Sequence, residues 1–252
     1  MLETVSLVFI ATTVTIDNAY TRCNMNQALE RLNSVKLRIE KACIAAGRRP
    51  DEVSLLAVSK RHPAGNIARL NQLGVSSFGE NQLQEALSKQ QELQQLDLEW
   101  HFIGTIQSNK TRAIAENFQW VQSVDRQRII KRLSDQRPDV MEPLNICLQV
   151  NIDNEPQKAG ASPAEILQLA DCIGCLGNLR LRGLMAIPRM TDDVTEQHAS
   201  FHKVRILFEE LKGSSHQIDT LSMGMSSDLE TAVSEGSTMV RIGTDFLGKR
   251  KT

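Results

Sequence analysis

Lys60 closes the segment Leu55-Leu56-Ala57-Val58-Ser59-Lys60, and Pro63 ends the pattern soon after. The apolar run reads as a buried strand, so the ammonium group falls just past a strand's carboxyl end. A lysine drawn partly out of water loses its proton more readily, and the neutral amine attacks carbonyl groups. Two later segments offer anion chemistry. Met223-Gly224-Met225-Ser226-Ser227-Asp228 sets a glycine and two hydroxyls before a helical pattern. Ser226 or Ser227 is expected to cap that helix, where free backbone N–H groups favour an anion. Arg241-Ile242-Gly243-Thr244 adds a glycine that admits close backbone approach, and a hydroxyl.

Other reactive residue types lead less far. Cys172 and Cys175 form a CxxC without the second pair that a structural zinc site needs, and read as two thiols near a helix end. His198 and His202 lie at i and i+4 with no HExxH glutamate and no third ligand, and read as a helix surface. No metal ligands are assigned. A metal-dependent hydrolase would need several His or carboxylate ligands at strand ends, which these strand ends lack.

The elements that must position these groups alternate along the chain. Strand-like runs occupy 53–58, 75–79, 100–104, 120–124, 144–150, 179–187, 218–223 and 239–243, with helical patterns between them. This order argues for a parallel sheet, and eight strands suit a closed (β/α)8 barrel. A doubly wound open sheet is the alternative. A helix from Met25 to Gly47, carrying Leu29, Leu32, Val35, Leu37 and Ile39, is expected before the first strand. In a barrel the polar strand ends all meet on one face. These are Lys60, Gly79-Glu80-Asn81, 104–110, Asn151, 223–228 and 241–244. The loops after strands 7 and 8 are the usual phosphate cradle of such a barrel. A phosphate anchor beside a lysine amine is what pyridoxal phosphate requires.

Composition narrows the class. The 252 residues carry 29 basic and 30 acidic side chains, which argues against a nucleic-acid binder driven by phosphate neutralisation. No apolar run is long enough to span a bilayer. Five cysteines without a framework spacing suggest a reducing compartment, hence a cytoplasmic location. No linker divides the chain, so residues 25–252 are expected to form one domain. Residues 1–24 are β-branched without helical period, and are expected to be an extension, with Met25 the functional start.

Taken together, LLAVSK (55–60), FGEN (78–81), WHFIG (100–104), QSNK (107–110), LMAIP (184–188), SMGMSSD (222–228) and GSTMVRIGT (236–244) closely resemble the YggS/PROSC family, the pyridoxal phosphate homeostasis proteins. The resemblance runs from about Met25 to Lys249. It implies a single-domain barrel like the N-terminal domain of alanine racemase, with the cofactor held as a Schiff base on Lys60. It implies that Ser226, Gly243 and Thr244 hold the phosphate, that Arg241 faces the pyridine nitrogen, and that Asn81 lies beside the cofactor. Thr105 stands where the family usually has proline, and Asp245 departs from the usual ending near the phosphate loop.

Within that chemistry a racemase or decarboxylase is the alternative to a carrier. Racemisation needs an acid/base group on each face of the substrate. Lys60 serves one face. The only tyrosine, Tyr20, lies in the leader, and no second domain supplies another. His101 or a cysteine is a substitute in principle only. A cation at Arg241 also disfavours protonation of the ring nitrogen and so weakens the electron sink. The expectation is a monomeric carrier with no catalytic residues, exchanging pyridoxal phosphate with amino acids or apoenzymes and binding neither nucleic acid nor membrane.

Overall fold

The apolar runs become the staves of a closed barrel in a computed structural model that describes residues 25–213, 218–243 and 247. Helix α1 (25–45) comes first and stops at Gly47, whose φ is +66°. Its buried stripe is Leu32, Val35, Ile39, Ala42 and Cys43, at spacings of three and four. Leu29 and Leu37, expected on that stripe, are exposed; Leu37 lies two residues after Val35 and so turns away from the core.

The strands then alternate with helices. They are β1 (Ser54–Val58), β2 (Ser77–Glu80), β3 (Glu99–Phe102), β4 (Trp120–Val124), β5 (Leu144–Val150), β6 (Leu179–Ala186), β7 (Thr220–Ser222) and β8 (Met239–Ile242). Between them lie α2 (Ala64–Gln72), α3 (Leu83–Glu92), α4 (Thr111–Asn117), α5 (Gln127–Gln136), α6 (Pro163–Gly174), α7 (Val194–Gly213) and α8 (Leu229–Ser234). Every neighbouring pair is parallel, and β8 returns to pair with β1, with Leu56 opposite Arg241. The expected eight-stranded barrel is therefore the fold, and the open sheet is not.

The main apolar core is the layer between strands and helices. It includes Phe78, Phe102, Val121, Ile146, Leu148, Leu184, Leu221, Val240 and Ile242 from the strands, with Ile67, Ile114, Ile129 and Ile166 from the helices. Alternation then directs the intervening strand residues into the lumen. A small separate cluster of Trp120, Cys147 and Met185 lies there. With it lie His101, Gln122, Ser222 and Arg241, all buried and polar. Branched aliphatics usually fill such a lumen.

Candidate functional site at the carboxyl rim of the barrel

Lys60 sits two residues beyond β1, partly buried, in a turn held from outside the barrel. Ser59 donates its N–H to Gly79 O at 3.1 Å, which ties the turn to β2. Its hydroxyl donates to Glu80 Oε1 at 2.6 Å. Glu80 is fully buried behind the turn, and Lys89 from α3 reaches in to meet it. Lys89 Nζ donates to Glu80 Oε1, to Glu85 Oε1 and to the Ser59 carbonyl, at 2.6, 2.6 and 2.8 Å. Glu85 also accepts the Arg61 N–H at 2.5 Å. Arg61 has φ of +63°, a left-handed conformation that an arginine adopts only when its surroundings hold it there. The residues before and after Lys60 are thus clamped by one ion-pair network, buried at Glu80 and Lys89 and partly exposed at Glu85. Burial pushes the Glu80 carboxyl up, against the pull of Lys89 and Ser59. Glu80 Oε2 has no partner among the described residues.

Asn81 lies at the end of β2, beside β1, and its amide makes no hydrogen bond among the described residues. The β3 loop presses on it: a Cβ at Gly104 would come 2.1 Å from the Asn81 carbonyl oxygen. On the other side of β1, Gly243 ends β8, and a Cβ there would lie 3.2 Å from the Val58 carbonyl oxygen. Lys60, Asn81 and Gly243 therefore stand on three adjacent staves of one rim. Thr244, with Asp245, lies outside the described residues.

The turn after β7 is built differently from the expected cap. Neither Ser226 nor Ser227 caps α8; the N-cap position belongs to Asp228. Its carboxylate turns back and accepts the Met225 N–H at 2.6 Å, so that it pins the turn. Arg38 of α1 donates to the Ser226 carbonyl at 2.8 Å and pairs with Glu230. Gly224, at φ +96°, accepts the Arg241 N–H at 2.9 Å. These bonds leave the N–H groups of Ser226 and Ser227 and the Ser226 hydroxyl without hydrogen-bond partners among the described residues. They are three donors on one turn, next to β8.

Arg241 is 5% exposed, and three bonds lock its guanidinium. Nη1 donates to Ser222 O at 2.7 Å and Ser222 Oγ at 2.9 Å, and Nη2 donates to Ala186 O at 2.9 Å. Burial pulls its pKa down to about 10, with Asp228 opposing, so it stays cationic at neutral pH. Nε–H and one Nη2–H remain without partners among the described residues.

The polar lumen beneath Arg241 was not legible as a unit in the sequence. His101 is fully buried, with Nε2 2.9 Å from Glu99 Oε1 and Nδ1 2.9 Å from Gln122 Nε2. It stacks on Trp120 with centroids 5.1 Å apart. Both ring nitrogens are occupied, so His101 does not supply a second acid/base group at the rim. Cys147 does not supply one either: it is fully buried and its thiol is pushed up to about 12.

The remaining candidates fall elsewhere. Asn151, expected at the rim, spends its amide on the carbonyl and N–H of Glu155 inside its own loop. His198 and His202 share Glu235, at 2.8 and 3.1 Å, on the outside of α7. Cys172 and Cys175 lie at the carboxyl end of α6, unpaired. Among the described residues no group of three or more His, Cys, Asp or Glu could hold a metal ion, and no helix could cross a membrane.

With this geometry in place, the comparisons with known proteins are direct. Residues 31–251 match the family described as alanine racemase, N-terminal domain. The pyridoxal phosphate homeostasis protein of Pseudomonas aeruginosa is 54% identical over 226 residues, covering 90% of this chain and 97% of that protein. The Escherichia coli protein of the same name is 46% identical over 229 residues, covering 90% and 98%. Among solved structures, PipY of Synechococcus elongatus with pyridoxal phosphate bound is 38% identical, with a TM-score of 0.74 and coverage of 88% and 100%. Alanine racemase of Corynebacterium glutamicum shares the fold, with a TM-score of 0.63 at 16% identity over 85% of this chain and 61% of that one.

Proposed function

Because the chain belongs to the pyridoxal phosphate homeostasis proteins, within the family of alanine racemase N-terminal domains, we propose that it holds pyridoxal phosphate on Lys60 and exchanges it without catalytic turnover. The observation that carries this reading is the shared rim: a clamped lysine, a donor-rich turn and a locked guanidinium converge at the ends of β1, β7 and β8. That donor set suits the cofactor. A phosphate needs N–H and O–H donors, and an unprotonated pyridine nitrogen needs one more.

When bound, the cofactor supplies an aldehyde that forms a Schiff base reversibly with a primary amine. The chain's own residues do the rest. Lys60 offers its amine in a turn that Ser59, Glu80, Lys89 and Glu85 hold still. Ser226, Gly243 and Thr244 take the phosphate, the first through its hydroxyl and backbone N–H. Arg241 faces the ring nitrogen and keeps it unprotonated, and Asn81 lines the side next to β2. Exchange then needs only an incoming amine, from an amino acid or a lysine of an apoenzyme, to displace Lys60. The racemase or decarboxylase reading gains no second acid/base group from His101 or Cys147, which are sealed in the lumen. The carrier is a monomer of one domain over 25–252, and works in the cytoplasm.

The visible spectrum of purified protein with added pyridoxal phosphate, before and after borohydride, tests this. A yellow band that borohydride bleaches and fixes to Lys60, and that Lys60→Ala lacks, is expected. A protein that stays colourless overturns the Lys60 assignment. Sustained turnover of a single-enantiomer amino acid, abolished in Lys60→Ala, overturns the carrier reading.

A further inference from the structure

The lumen raises a question that the rim does not answer. Buried polar side chains are costly unless satisfied, and a barrel interior is ordinarily filled with branched aliphatics. Here four strands on opposite sides of the barrel contribute polar residues that meet across its axis. Arg241 Nη1 donates to Ser222 Oγ at 2.9 Å. Ser222 Oγ donates to Gln122 Oε1 at 2.7 Å. Gln122 Nε2 faces His101 Nδ1 at 2.9 Å, and His101 Nε2 faces Glu99 Oε1 at 2.9 Å.

The two ends set the direction of every link. A guanidinium only donates and an ionised carboxylate only accepts. Ser222 must therefore pass its own proton to Gln122, whose carbonyl accepts it. The Gln122 amide then donates to His101 Nδ1, and its second N–H points to Met239 Sδ at 3.1 Å. His101 must be the neutral Nε2–H tautomer that donates to Glu99. Desolvation lowers the His101 pKa, in keeping with a neutral ring. Donation from His101 holds the Glu99 carboxyl down at about 2. Reversing any one link sets two donors or two acceptors face to face.

We propose that Glu99, His101, Gln122 and Ser222 are positioning residues forming a one-way hydrogen-bond relay that fixes the Arg241 guanidinium against the cofactor's ring nitrogen. This rests on the placement of pyridoxal phosphate at the rim proposed above. The relay carries orientation and not protons, because neither an amide nor a guanidinium gives up a proton at neutral pH. Its charged ends make its terminal bonds the strong ones. The Trp120 ring, stacked within 10° of parallel on His101, keeps the imidazole from tilting. Asp228 is the competing partner: its charge already acts on Arg241. Without the Ser222 Oγ bond the guanidinium keeps only the Ser222 and Ala186 carbonyls, and the pull of Asp228 then shifts it off the ring nitrogen, which is left open to protonation.

The test compares His101→Leu with His101→Gln in protein loaded with pyridoxal phosphate. Both lose the ring that stacks on Trp120. Only glutamine keeps an acceptor for Gln122 and a donor for Glu99. The visible band of His101→Leu is expected to titrate with pH where wild type does not, with cofactor dissociation rising roughly tenfold or more. His101→Gln is expected to keep the wild-type band and affinity, though both variants melt earlier. Equal spectra in the two variants overturn the relay as a positioning device and leave a structural role only. Nitrogen NMR of His101 in protein without added cofactor reads the direction independently. A protonated Nε2 supports the relay, and a protonated Nδ1 overturns it. A wild-type protein with no visible band is a different result: it overturns the cofactor reading, and the relay's role toward the ring with it.

Discussion

Glu80 and Lys89 form a buried pair, with side chains 0% and 6% exposed, immediately behind the turn that carries Lys60. Such a pair gives little net stability, but breaking it from one side leaves a buried charge. Lys89→Met is therefore expected to cost about 3–5 kcal/mol in urea unfolding at neutral pH. The double variant Glu80→Gln with Lys89→Met should recover much of that loss, since the one carboxylate it leaves without the ammonium, Glu85, is partly exposed to water. Burial already raises the Glu80 pKa, and removing the ammonium raises it further. A raised carboxyl contributes stability below its unfolded pKa and loses it as pH rises through the folded one. The penalty of Lys89→Met should therefore shrink as pH falls from neutral toward about 4, near the unfolded value. A penalty that grows on acidification would mean that Glu80 stays ionised without its partner. Because Lys89 also holds the Ser59 carbonyl, the single variant is expected to retain less pyridoxal phosphate after gel filtration than wild type.

At the scale of elements, the loops bring the rim residues within reach of one another. Gly104 shows how little room there is: a methyl group there would meet backbone at 2.1 Å, not the end of a flexible side chain. Gly104→Ala is expected to force apart the loops after β2 and β3, displacing Asn81. A fall in melting temperature together with weaker cofactor retention is the expected result, and an unchanged melting curve would show that the loop adapts. The eight strands were legible because parallel strands buried on both faces read as short apolar runs between helical patterns. The helix cap was not. Ser226 and Ser227 satisfy the composition rule for a cap, but Asp228 is one residue nearer the helix, and its carboxylate closes the turn behind it. Glu80 and Lys89 were also hidden. They lie nine residues apart across an element boundary, a spacing that no helical or strand period brings together. Lys60 and Arg241 stood out because they are charges at strand ends. His101, Gln122 and Ser222 did not, since whether a strand residue faces lumen or helix depends on how the barrel closes.

The whole molecule is two-sided: a rim of donors at the carboxyl ends of the strands, and Glu99 at the amino end of β3, joined through the lumen. This gives one carboxylate leverage on global stability. Glu99 is 43% exposed, yet its pKa falls to about 2 because His101 donates to it from a fully buried position. A depressed carboxyl contributes stability above its unfolded pKa, near 4.3 or so. That contribution is lost as pH falls from there through the folded value of about 2. Glu99→Gln removes it at every pH, because an amide cannot ionise. The urea midpoints of wild type and Glu99→Gln should therefore differ most above about pH 5, and approach each other as the solution is acidified toward 2. Parallel midpoints across that range would mean that the ionised form of Glu99 gains nothing from His101. Glu99 would then still be an anion at neutral pH, but one that the bond from His101 does not stabilise. If the midpoints converge as expected, the charge that steadies Arg241 at the rim is set at the opposite mouth of the barrel, where a substitution can alter the cofactor's surroundings without touching them.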